Sequence, residues 1–124
     1  MLYFNDRQKL TAGAVVLSLL AASVPARAAD CAPIDCSKAS SATERAICRS
    51  YPLGQAEVRM ATLFGVVTSL VAMGQRGDLG DAQRKWLKER SACGDDSACI
   101  ALAYQSRITA LSSALDAIAS RGPF

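Results

Sequence analysis

Apolar positions along this chain recur three or four residues apart, and no stretch alternates convincingly with period two, so the pattern predicts helices rather than strands. Ser41-Ala42-Thr43-Glu44 has the form of a capping box, and Ala46, Ile47 and Cys48 continue a short helix that Tyr51-Pro52 ends. From Gln55 to about Met73, the residues Met60, Phe64, Val67 and Val71 fall at spacings of 4, 3 and 4, a stripe that should face a core. Gly74-Gln75-Arg76-Gly77-Asp78 reads as the break after it. A third helix is expected from about Leu79–Asp81 to Ser91, with Trp86 and Leu87 apolar and the remainder basic or polar, stopping at Cys93-Gly94. Asp95-Asp96-Ser97 offers N-cap oxygens to a last helix. That helix carries Ile100, Ala103, Arg107 or Ile108, Leu111, Leu115 and Ile118 in helical phase until Gly122-Pro123. The expected fold is all-α: a small bundle of one short and three longer helices, antiparallel where connections are short, preceded by an irregular arm from Ala29 to Ser40.

The N-terminus reads differently. Arg7 and Lys9 precede the largely aliphatic run Leu10 to Val24, which meets Pro25 and the small-residue pattern Ala26-Arg27-Ala28. This is the order of a secretory signal peptide, residues 1–28, with cleavage expected after Ala28. The run is too short for the roughly 20 residues of a membrane-spanning helix, so no membrane association is expected after cleavage. The mature chain would be one domain, residues 29–124, located in the periplasm or secreted.

Charge then removes one class of partner. Discarding Arg7, Lys9, Arg27 and Asp6 lowers the balance from +3 to +1, because most of the basic excess belongs to the leader. Charge therefore predicts no nucleic-acid partner.

All five cysteines, Cys31, Cys36, Cys48, Cys93 and Cys99, lie beyond the leader, where an oxidising compartment favours pairing. Cys93 and Cys99 enclose five residues, a span that suits a clamp on the turn between two helices; Cys36 and Cys48 would tie the arm to the first helix. Cys31 is left over: it can stay free, link two chains into a dimer, or compete with Cys36 for Cys48. A monomer is otherwise expected.

Catalytic equipment is scarce. Histidine is absent, which excludes the usual Ser/His/Asp and Cys/His nucleophile arrangements, and no Cys-x-x-Cys pair or Gly-rich phosphate loop occurs. No metal site and no cofactor are expected, and Asp95-Asp96 reads as a helix cap rather than a general acid and base. Arg84, Lys85, Lys88 and Arg90 make the third helix basic; Arg84, Lys88 and Arg90 are the candidate cationic surface for an acidic partner, the alternative being a solvated face interspersed with Glu89. Trp86, Tyr104 and Arg107 are expected to pack with Arg90 as a structural cluster near the Cys93–Cys99 clamp.

Two blocks, Cys36-Ser37-Lys38-Ala39 through Thr43-Glu44-Arg45-Ala46-Ile47-Cys48, and Gln83 through Trp86-Leu87 to Arg90-Ser91-Ala92-Cys93-Gly94 with Cys99, Tyr104 and Arg107-Ile108, carry a family resemblance. In this order they resemble the LprI-type lysozyme-inhibitor family of small secreted bacterial proteins. The resemblance runs from about Cys36 to Leu111. It departs in the middle helix, where Glu57 and Phe64 stand at positions the family fills with aspartate and tyrosine. It implies an all-helical envelope protein, not an enzyme, whose partner is a protein, in some members lysozyme. A lysozyme cleft is built around two carboxylates, so Arg84, Lys88 and Arg90 have the sign an occluding surface needs. The alternative expectation is a structural or adaptor module of the envelope without inhibitory activity.

Overall fold

A computed structural model describes residues 33–122. The expected leader and cleavage site, with Cys31, lie outside the described residues. The expected all-α fold is what forms: four helices, α1 (Ala42–Arg49), α2 (Tyr51–Leu70), α3 (Met73–Ala92) and α4 (Ser97–Ala119), with no strand among the described residues.

Local chemistry accounts for most boundaries. The Ser41 hydroxyl accepts from the Glu44 amide at 3.0 Å, while the Glu44 carboxylate accepts from the Ser41 and Ser40 amides at 3.1 and 2.9 Å. These bonds occupy donors that a helix N-terminus leaves unpaired, and they hold the Glu44 carboxyl below its ordinary pKa. Ser50 is an extended one-residue elbow that closes α1 and, through its hydroxyl, caps α2. Pro52 lies in the first turn of α2, where its missing N–H has no partner to lose. Between α3 and α4, Gly94 adopts φ +59, and the Asp96 carboxylate accepts from the Ala98 and Cys99 amides.

One boundary differs from expectation. The chain turns at Val71 and Ala72, both extended, and Gly74 to Asp78 is already helical, so α3 begins at Met73 rather than near Leu79. Two extended residues suffice to reverse the chain. Glycines inside a helix cost only about 1 kcal/mol each, which continuation of α3 onto the bundle outweighs. The first turns of α3 are nonetheless peripheral: residues 72–78 are exposed, Met73 at 81%.

The two short connections make α3 antiparallel to both α2 and α4. These two consequently run parallel, with Glu57 beside Tyr104 near one end and Val67 and Val71 beside Ala114 and Ile118 near the other. Buried positions repeat at near-heptad intervals: Leu53, Glu57, Met60 and Val67 on α2; Trp86 and Arg90 on α3; Ile100, Tyr104, Arg107, Leu111 and Ile118 on α4. The expected α2 stripe is the core face, with Met60 and Val67 buried and Phe64 and Val71 half-buried. Ala46 and Ile47 of α1 close the core at the end where α3 meets α4. There the buried Thr43 hydroxyl bonds to the carbonyls of Gly94 at 2.7 Å and Ser91 at 3.3 Å.

Candidate functional site

The end of the bundle closed by α1 holds both covalent staples. Cys36 pairs with Cys48 and Cys93 with Cys99, with Cα separations of 5.7 and 5.6 Å. In a chain-entropy account, loops of 12 and 6 residues restrict the unfolded ensemble by about 3 and 2 kcal/mol. The opposite end has no staple among the described residues, and there α2, α3 and α4 border a groove of about 340 Å³ lined by Val67, Leu79, Ile118 and small alanines, with Gln75, Asp78 and Arg121 also on its walls.

Above the stapled end lies a polar cluster that the core surrounds. Arg90 Nη1 donates to Glu57 Oε2 at 3.0 Å and to the Tyr104 hydroxyl at 2.9 Å, and Tyr104 in turn donates to the same carboxylate oxygen. The guanidinium lies 5.2 Å from the Trp86 ring centroid and 5.7 Å from that of Tyr104, and the two rings pack tilted at 5.4 Å. The indole N–H donates to the Ala103 carbonyl at 2.8 Å. Helices α2, α3 and α4 thus each contribute one member to a carboxylate–phenol–guanidinium triad. Burial, followed by the bond to Glu57, pushes the Tyr104 phenol well above the usual tyrosine range.

Arg90 therefore does not belong to the cationic surface proposed from the sequence. It is 6% exposed and neutralised by Glu57. The reason is helical phase: Arg90 stands four residues after Trp86 and seven after Gln83, on the stripe that α3 turns inward, whereas Arg84 and Lys88 stand two residues to either side of Trp86 and project into solvent. Arg84 pairs with Asp81 along the helix, and Lys88 makes no ion pair among the described residues. The expected cluster of Trp86, Tyr104 and Arg107 is assembled in part. Trp86 and Tyr104 sit with Arg90, while Arg107 lies nearer the middle of the bundle and donates through Nε to Gln83 Oε1 at 2.9 Å; Gln83 Nε2 donates onward to Met60 Sδ at 3.2 Å. Leu87, paired with Trp86 in the sequence, is exposed.

The sequence reading missed Glu57 as the anion of the triad and Gln83 as its neighbour's clamp. The available signal was position: Glu57 is a charge on the stripe Leu53, Met60, Val67. Among the described residues no three metal-ligating side chains converge, and no helix is long and apolar enough to cross a membrane. A search of family models, curated proteins and solved structures finds no match to this chain.

Proposed function

We propose that this chain is a non-catalytic, extracytoplasmic binding protein that occludes lysozyme. Two disulfides in a small helical domain suit an oxidising compartment outside the cytoplasm. Residues 1–28 supply the export signal that such a location needs, and the LprI-type resemblance supplies the partner.

The observation that carries the reading is the division of charge on α3. Its inward-facing arginine is neutralised within the core; of its outward-facing cations, Arg84 pairs only with Asp81 of the same helix and Lys88 forms no ion pair among the described residues. A titratable pair that is closed on itself and sealed by Trp86 offers a substrate nothing. Exposed cations on a rigid, stapled helix offer an acidic cleft a matched surface, whose contribution lies in fit and partner selection more than in raw attraction.

The test is the lytic rate of a c-type lysozyme on cell walls, titrated with the oxidised chain from Ala29 onward beside a reduced and alkylated control. Inhibition that saturates near equimolar protein and vanishes in the control is the expected result. Undiminished lysis at large molar excess refutes lysozyme as the partner and favours the envelope-adaptor alternative.

A further inference from the structure

We infer that Arg107 and Lys85 form a binding site for a single carboxylate, in a groove beside Trp86 on the face between α3 and α4. This site is separate from the Arg84–Lys88 surface and does not depend on the partner proposed above.

The bundle buries two arginines, and they are treated unequally. Arg90 has a carboxylate at 3.0 Å and a phenol at 2.9 Å, although its Nε is buried without a partner, so what sets it apart is its counter-charge. Arg107, 8% exposed, has only the amide oxygen of Gln83; its Nη2 is buried without a hydrogen-bond partner, and no acidic group pairs with it among the described residues. A buried cation without a counter-charge and with unspent N–H donors is a costly arrangement that core packing alone does not explain. Consistent with this, burial lowers the pKa of Arg107.

The Arg107 side chain nonetheless borders open space. It lines a groove of about 170 Å³ whose other walls are Ala82, Lys85, Trp86, Glu89, Ser106 and Ala110. The two alanines leave room, the indole gives an apolar side, Ser106 offers a hydroxyl, and Lys85 brings a second cation to the rim. Glu89 lies 4.0 Å from Lys85 and competes for it, but both side chains are largely exposed, so this pair is weak. Two cations against one rim acid leave the groove positive by one charge, which matches one carboxylate. A carboxylate entering the groove can accept from a guanidinium N–H that Gln83 does not hold, and such charge-assisted bonds are short and strong. The carboxylate can come from a free small acid or from a glutamate or aspartate side chain on another protein; the volume admits either.

Trp86 is the only tryptophan in the chain, so its fluorescence reads this groove directly. The oxidised chain is titrated with sodium propionate, with a glutamate blocked at both its amino and α-carboxyl groups, and with sodium chloride at matched ionic strength. A saturable change in Trp86 emission with propionate or the blocked glutamate, absent with chloride, is expected. A response to the blocked glutamate alone identifies a protein side chain as the source; a response to both identifies an open acid site. Arg107→Gln should weaken binding by more than about tenfold, as loss of a charged hydrogen-bond partner implies. Lys85→Gln should weaken it by about two- to fivefold, and Glu89→Gln should strengthen it by a similar factor, on the scale of exposed ion pairs. Lys85 and Glu89 are surface positions, so these variants report even if Arg107→Gln alters folding. Emission that responds equally to all three salts, or a propionate response unchanged in Lys85→Gln and Glu89→Gln, overturns the site and assigns the free donors of Arg107 to buried water.

Discussion

Removing the anion of the buried triad should damage this protein more than any surface change. Glu57→Ala leaves the Arg90 guanidinium, 7% exposed as a side chain, without the carboxylate that neutralises it, and leaves the Tyr104 hydroxyl without its acceptor. Truncating one member of a buried ion pair costs about 3 to 5 kcal/mol, mostly because the surviving charge stays buried. A domain of this size has a total stability of about 5 to 15 kcal/mol, so the variant would be marginal or unfolded. At about 4 to 8 °C per kcal/mol, the melting temperature should fall by roughly 12 to 40 °C. Replacing both ends, Glu57→Leu with Arg90→Met, removes the stranded charge together with its partner and should recover most of the loss, since an apolar pair of similar volume often equals a buried ion pair. Thermal unfolding followed by circular dichroism, with both disulfides verified by mass spectrometry under non-reducing conditions, compares Glu57→Ala with the unaltered chain and with the cycle of Glu57→Leu, Arg90→Met and their combination. A loss under about 1 kcal/mol for Glu57→Ala, or a double variant no better than the single, would refute the claim that these groups are coupled in a dry core.

The remaining expectations follow from single contacts. Arg107→Met should be neutral or stabilising in thermal unfolding, in contrast to Arg90→Met, because Arg107 is a buried charge with no acid to strand. Because the folded state holds the Tyr104 phenol protonated above its unfolded pKa, near 10, the phenol contributes fully at lower pH and that contribution is lost as pH rises beyond 10. Urea midpoints should therefore fall above pH 10 and recover in Tyr104→Phe relative to its own value at pH 8. Ser41→Ala should cost about 1 kcal/mol by removing the α1 cap. The Glu44 half of that cap, whose folded pKa is depressed, acts above pH about 4.3 and fades on further acidification, which a pH series of the same melting curves would register.

How far the sequence could be read depended on how local each determinant was. The α1 start rests on two side chains three residues apart, and the Cys93–Cys99 clamp on a short turn; both could be read directly because no distant residue decides them. The α2–α3 turn was misplaced for the opposite reason. Gly74 and Gly77 are local breakers, yet the chain reverses at Val71-Ala72, residues with no turn signature, and packing then carries the glycines into a helix. Arg84, Lys88 and Arg90 look equivalent as a basic run. Only helical phase against Trp86 separates them, and only the approach of α2 explains why the inward one is tolerated, since its counter-charge is 33 residues away at Glu57. Arg107 was expected within the aromatic cluster, but Arg90 takes that place while Arg107 bonds to Gln83, and its lack of an acid is a property of the whole surround, which no spacing encodes.

The most direct test of the account is calorimetric titration of a c-type lysozyme with the oxidised chain and with its Arg84→Glu/Lys88→Glu variant, after melting curves establish that the two are equally stable. The account predicts a one-to-one complex with the unaltered chain and its loss in the charge-reversed one, because those exposed side chains are the surface assigned to the partner and bind no other helix of the bundle. A complex equally tight in both would contradict the role of α3, and no heat of binding with either would contradict the proposed partner.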